Sequence, residues 1–569
     1  MQKNTSTGSV STTCKTCEKE FVIRDEDIVF YEQMKSPLPL HCPACRMMRR
    51  LAYRNERTLY KRMCDLCKTD GVSLYPDGTP FPVYCHKCWW SDEWDPRDFA
   101  MDYDKSRPFL EQFAELKNKV PRIALLVIDS VRCDYTNNAA ENKDCYLLFA
   151  AENNEDCMYG RLVQRCKFCN DCASVYDSEL CYECIDCRQC FKTMYSEQCQ
   201  SSSDLLFCYD MRDCQNCILC TNGRHMSNSI LNQKYSKEEF EKKKMEILSS
   251  YENIAQAMGQ YEELKSNCIV KNAVQTKCHD VTGDYMHNCH EGVRLFDTSD
   301  SKNCSYMADA MDVKDSMDCN NFYIKCEFEY DMMGVLGGSK NKHGVYVMWC
   351  NSTEYCDSCY HSNDLFGCVR LNKESYCILN KKYEKEEYIK LRDEIIESMK
   401  KEGSYGQFLP PEMSPFGYNE TLAKEYFPMT HDEAQTYGYK WQEKNTGTFG
   451  KESITEENIP TSPDKLDDSL LSEIFACNEC GKNFKVIKAE LDFYKRMGLP
   501  MPHKDFECRH QNRMKKRNPR KLYAGKCMCG NDKHMNHEGE NCEETFETTY
   551  SPEIKKIIYC EKCYQQEVA

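Results

Sequence analysis

The sequence predicts a mostly β architecture: a Cys-rich, β-helix-like repeat solenoid flanked at both ends by tandem zinc ribbons, with a few amphipathic helices. Two observations carry this. The 42 cysteines of the 569-residue chain fall in three blocks, eight before residue 90, 26 between Cys133 and Cys377, and eight from Cys477 onward. The end blocks are built of CxxC pairs, whereas the middle repeats a spacing of nine, through Cys172, Cys181, Cys190, Cys199, Cys208 and Cys217 and again through Cys350, Cys359, Cys368 and Cys377. Met1 to Thr13 is polar, so the reading is a cytoplasmic chain without export signal or membrane span, whose thiols serve as ligands or small hydrophobes.

At the N-terminus, Cys14 and Cys17 are followed after 24 residues by Cys42 and Cys45, and Cys64 and Cys67 after 17 residues by Cys85 and Cys88. Two such knuckles supply four thiolates to one tetrahedral zinc and leave no open position for water, which favours a structural ion over a catalytic one. Ribbons this short bury little apolar surface, and metal binding supplies ~10–16 kcal/mol in comparable peptides.

Cys14, Cys17, the Phe30-Tyr31 pair, Cys42-Pro43, Cys45 and Arg46 together resemble the zinc-ribbon domain family. The longer context, RNERTLYKRMCDLC and then YCHKCWWSDEWDP, is similar to large uncharacterised zinc-ribbon proteins of candidate-phyla bacteria. Some of those carry coenzyme-A transferase labels. The resemblance implies architecture and zinc, and no residue here supports transferase chemistry.

The C-terminal block repeats the first ribbon: Phe493-Tyr494 answers Phe30-Tyr31, Cys508-Arg509 answers Cys45-Arg46, and Asn518 answers Asn55. Asp505 stands where Cys42 has its counterpart. A third site is therefore expected from Cys477, Cys480, Asp505 and Cys508, with His503 or His510 as alternatives to the carboxylate. A fourth is expected from Cys527, Cys529, Cys560 and Cys563, with Cys542, His534 and His537 as further candidate ligands in the intervening loop. The expected content is about four zinc ions per chain.

In the middle, two nine-residue half-turns would make an 18-residue rung. The segment 230–247 matches 378–395 at 11 of 18 positions, a shift of 148 that implies two modules, each ending in a helix. The first helix starts at a capping box, Ser236 with Glu239, and the second stops near Gly403. The middle cysteines read as a buried ladder, with added zinc or iron–sulfur ligation in runs such as Cys181, Cys184, Cys187 and Cys190 as the alternative, because in an extended strand residues three apart face opposite ways. The resulting domains are 1–60 (ribbon 1 and basic segment), 61–121 (ribbon 2 and an aromatic docking segment), 130–265 and 266–403 (repeat modules), 404–470 (Pro-containing linker), 471–524 (ribbon 3 and basic segment) and 525–569 (ribbon 4).

Residues 46–62 carry net +6 and residues 509–526 net +8 in a chain of net −16, so the rest holds −30. These two stretches follow zinc knuckles, and they make nucleic acid, above all RNA, the first expected partner, through Arg46, Arg49, Arg50, Arg54, Arg57, Arg513, Lys515, Lys516, Arg517, Arg520 and Lys521. The alternative is a structural or assembly protein that makes protein–protein or self-association contacts, its basic helices covering the acidic repeat. The sequence contains no P-loop, GxGxxG, GxSxG, HExxH or zinc-deaminase pattern, so no enzyme is expected, with a metal-dependent hydrolase as a minor alternative.

Overall fold

Every third residue from Asp129 to Leu231 is left-handed, with φ between +43° and +56° and not one glycine among them. This fixes the architecture of the middle of the chain. Each triplet consists of a bridging residue, a left-handed residue that turns the backbone, and a residue whose side chain points inward. The bridges pair in parallel at a constant offset of twelve, as in Val131 with Lys143, Lys143 with Glu155, Glu155 with Lys167 and Lys167 with Glu179. Each triplet donates twice to its neighbours, for example Lys143 N–H to Asn154 O (2.9 Å) and Asp144 N–H to Val131 O (3.0 Å). The parallel pairing thus repeats every four triplets, and the expected period of 18 residues is corrected to twelve.

The spacing of nine has a simple origin. Nine is three triplets, so Cys181 and Cys190 occupy inward positions on adjoining faces. Cys166, Cys169, Cys172, Cys181, Cys184, Cys187 and Cys190 are all buried. Residues three apart do not face opposite ways here, because the left-handed residue between them turns the chain. The inward side chains are mostly small, Cys, Ser, Ala and Val, and their thiols donate to backbone carbonyls of neighbouring triplets, as Cys184 Sγ does to Thr193 O (3.2 Å).

The computed structural model describes residues 8–322, 325–443, 447–537 and 541–568. The chain forms two compact units: Met1–Ala124 with Ala273–Lys444 and Arg520–Leu522, and Leu125–Asn272 with Asn445–Pro519 and Tyr523–Ala569. Strand accounts for 29% and helix for 25% of the described residues. The expectation of a mostly β protein is therefore corrected to a mixed α and β one with several small sheets. Left-handed residues break the ladders into single bridges and short strands, and helices follow the knuckles.

In the first unit the pairing offset is eleven at His279 with His290 and twelve from Gly283 with Leu295 onward. The bulge falls at Gly283, whose φ is +137° and where any Cβ would collide with the Leu295 carbonyl. The offset widens to thirteen at Val313 with Cys326 and returns to twelve at Cys326 with Gly338. Each unit's stack ends in a short antiparallel pair and a helix. Lys237–Leu248 is opened by the Ser236/Glu239 capping box, and Lys385–Glu402 is closed by Gly403 at φ +72°. Both ends are as the sequence implied.

The aromatic segment after the second ribbon packs within the first unit. Phe109 lies 4.8 Å from Phe366, and the Arg370 guanidinium sits over the Trp89 and Trp90 rings at 4.6 and 4.8 Å. Tyr405, Phe408, Leu409, Tyr418 and Leu422, from the stretch expected as a linker, join the same core.

Candidate metal centres and the arginine clamps

Each terminal block repeats one local plan. A short antiparallel hairpin presents the first knuckle, Val10–Thr13 with Glu20–Ile23 for Cys14 and Cys17, and Tyr60–Met63 with Asp70–Ser73 for Cys64 and Cys67. The second knuckle opens a helix: Cys42 and Cys85 cap Pro43–Leu51 and His86–Trp89, which contain Cys45 and Cys88. The 24-residue insert of the first site thus holds the second strand of the hairpin, Glu20–Ile23, and a helix, Asp25–Gln33. In both sites the N–H of the third cysteine donates to the sulfur of the first, Cys42 to Cys14 and Cys85 to Cys64, each at 3.2 Å.

These thiol groups fit a tetrahedral thiophilic cation. A Zn–S bond of ~2.3 Å implies sulfur atoms about 3.8 Å apart, and Cys17 and Cys42 are 3.8 Å apart, Cys67 and Cys85 3.9 Å. Hydrogen bonding from the Cys45 thiol pulls Cys42 down to about 5, while Cys42 pushes Cys45 up. Four crowded thiols cannot all ionise unaided, and a divalent cation removes that conflict.

At the third site Cys477, Cys480, Asp505 and Cys508 converge. Asp505 caps the helix Phe506–Met514 by accepting from Glu507 N–H (2.9 Å) through one carboxylate oxygen, and the other meets the Cys480 thiol at 3.2 Å. Neither histidine alternative belongs to this group, and His503 is stacked on Tyr251 at 4.0 Å. In the last block, Cys527, Cys560 and Cys563 are joined by Cys542, whereas Cys529 groups with His534, His537 and Cys563. The spacing of Cys527 and Cys529 had suggested a common ion. Residues two apart share a face only within an extended strand, and the strand Tyr523–Lys526 ends before Cys527, so the two thiols are free to part. Only their loop position had marked Cys542, His534 and His537. All five groups lie in the terminal blocks, and no central cysteine belongs to one among the described residues.

The basic residues after the knuckles take up equivalent positions in both units. Arg46 and Arg50 lie one helical turn apart and both reach the fully buried Asp318, at 2.8 and 3.3 Å; Arg50 also meets Asp331 at 2.6 Å and Asn320 at 2.8 Å. In the other unit Arg509 and Arg513 converge in the same way on the fully buried Asp171, at 3.2 and 3.0 Å, and Arg513 adds Glu183 at 2.8 Å. Arg517 pairs with Asp186 (2.9 Å), Arg520 with Asp309 (2.6 Å) and Asp297 (2.8 Å), Arg57 with Glu425 (2.7 Å), Arg54 with Glu56 (2.6 Å), and Lys516 with Glu262 (3.2 Å). The rung acceptors Asp171, Asp186, Asp297, Asp309, Asp318 and Asp331 are left-handed turn residues, a conformation Asp tolerates well. Arg49 is half-buried beside His41 (2.9 Å), and Lys515 and Lys521 are exposed.

No family model and no curated protein matches the chain. Among solved structures, one of a candidate acetyltransferase from Desulfovibrio desulfuricans is matched at 8% identity and a TM-score of 0.11, over 44% of this chain and 65% of that one. The match spans just under two thirds of that protein and is too weak to carry an argument. No described helix is long and apolar enough to cross a membrane.

Proposed function

We propose that the protein is a metal-stabilised structural or assembly scaffold, in which zinc ribbons are clamped onto twelve-residue β-solenoids. The observation that supports it most is where the basic charge goes. Arg46, Arg50, Arg513, Arg517 and Arg520 are buried against carboxylates of the repeat in their own unit, so Arg46, Arg50 and Arg513 hold ribbon helices and Arg517 and Arg520 the segment after one, instead of facing phosphate. Zinc suits the donor sets, and the all-thiolate centres leave no coordination position for a hydrolytic water. The nucleic-acid reading then depends on Arg49, Lys515 and Lys521, too few to make a steeply salt-dependent site. Fluorescence anisotropy with single-stranded RNA and duplex DNA at roughly 50–100 mM salt, where the screening length is still about 10 Å, tests this. No salt-sensitive binding is expected; binding that Lys515→Glu and Lys521→Glu abolish would overturn the scaffold reading in favour of RNA or DNA.

A further inference from the structure

Seven candidate ligands crowd the last 43 residues: Cys527, Cys529, His534, His537, Cys542, Cys560 and Cys563. They form two four-membered groups that share one member, Cys563. Two four-coordinate ions joined by one bridging ligand need that number of donors. Resting on the metal reading above, we infer that this block holds a binuclear centre for two divalent cations of the zinc class, bridged by the Cys563 thiolate.

The local structure supports each half. On the thiolate side, Cys560 N–H donates to Cys527 Sγ at 3.2 Å, repeating the geometry of the two N-terminal sites. On the mixed side, Cys529 Sγ lies 3.1 Å from His534 Nδ1 and 3.7 Å from His537 Nε2, around the ~3.6 Å that Zn–S and Zn–N bonds of ~2.3 and ~2.05 Å imply at a tetrahedral angle. His534 turns its other nitrogen, Nε2, to Glu567 Oε2 at 3.2 Å. A carboxylate behind the ring is what fixes a metal-ligating histidine in its tautomer and raises its basicity. Cys563 is fully buried, and Asn536 Nδ2 donates to its sulfur at 3.1 Å. A bridging thiolate between the cations offsets their mutual repulsion, and five thiolates with two divalent ions leave a residual charge of about −1, less than an isolated four-thiolate site carries. With an ion in the all-thiolate group alone, His534 and its carboxylate would have nothing to hold, and with one in the mixed group alone Cys527, Cys542 and Cys560 would be left as crowded free thiols.

The test uses the full chain saturated with zinc or Co(II) and freed of excess metal. Elemental analysis should give five ions per chain, one for each candidate group. His534→Ala/His537→Ala should lose one ion, Cys542→Ser one, and Cys563→Ser both of this block. Two Co(II) ions sharing a thiolate couple antiferromagnetically, so the integrated low-temperature EPR intensity should correspond to about three ions in the wild type and about four in His534→Ala/His537→Ala, which keeps the all-thiolate half. The histidine variant decides the matter even if Cys563→Ser fails to fold. A wild-type content of four, unchanged in the histidine variant, or EPR intensity equal to the full cobalt content, would overturn the bridge while leaving the other centres intact. Zero or one ion would instead take down the metal reading as a whole.

Discussion

Arg50→Met isolates one clamp. The guanidinium is fully buried and reaches Asp331, Asn320 and Asp318. Removing one partner of a buried ion pair costs about 3–5 kcal/mol, because the other charge stays buried. Here the stranded carboxylates keep some compensation, His343 Nδ1 at 3.4 Å from Asp331 and Arg46 Nε at 2.8 Å from Asp318. The low end, ~3 kcal/mol, is therefore expected. With two units in the chain, a global unfolding midpoint would mix contributions, so local opening is the better readout. Native-state hydrogen exchange of the amides of Met47 to Leu51 should accelerate roughly 150-fold, the factor equivalent to ~3 kcal/mol. Zinc content should not change. Acceleration below about fivefold, ~1 kcal/mol, would refute the argument that this charge anchors the ribbon helix.

Three further outcomes follow. Deleting 143–154, one whole repeat, should leave a folded, cooperatively melting protein by circular dichroism, whereas deleting nine residues, 146–154, should not; equal tolerance of both would contradict the twelve-residue period. Cys184→Leu should destabilise by about 1–3 kcal/mol through overpacking of the buried interior and leave metal content unchanged; loss of an ion would make the central thiols ligands. Asp357 is buried, which opposes ionisation, yet Lys117 and Arg122 hold it down to about 2, below the ordinary 3.8. Its contribution is thus present above about pH 4 and lost as pH falls toward 2. The shift corresponds to about 2 kcal/mol, and denaturant titrations of metal-free protein over that range should show a loss that is smaller by about that amount in Asp357→Asn, Asp331, also held down to about 2, still contributing in both.

Much of the terminal architecture was legible because knuckle spacing is a chemical requirement: the first two thiol groups, the Asp505 substitution and the module-ending helices all stand where the residues put them. The repeat period was not. Cysteine marks only some inward positions, so the nine-residue interval was visible while the triplet beneath it was hidden by Ser, Asn, Val and Leu at the other inward places. Nothing in a side chain announces that Leu162, Phe168 or Tyr195 is left-handed; stacking of neighbouring turns over-determines that conformation. One sign was present nonetheless, since the 148-residue shift exceeds a multiple of three by one, and the inward phase changes by one residue between Cys208 and Cys356. The clamps were hidden for a different reason. Charge density along a chain reads the same whether its counterions are phosphates or its own aspartates, and only the convergence of Arg509 and Arg513 on Asp171 distinguishes them.

The most direct measurement of the central claim is hydrogen exchange of the zinc-loaded protein before and after chelation under reducing conditions. If metal holds the ribbons and backbone ladders hold the rungs, amides of 43–51 and 506–514 should lose protection on chelation while those of 155–220 keep theirs. Simultaneous loss in both would contradict a separately stable stack, and unchanged protection in 43–51 would contradict a metal-dependent ribbon.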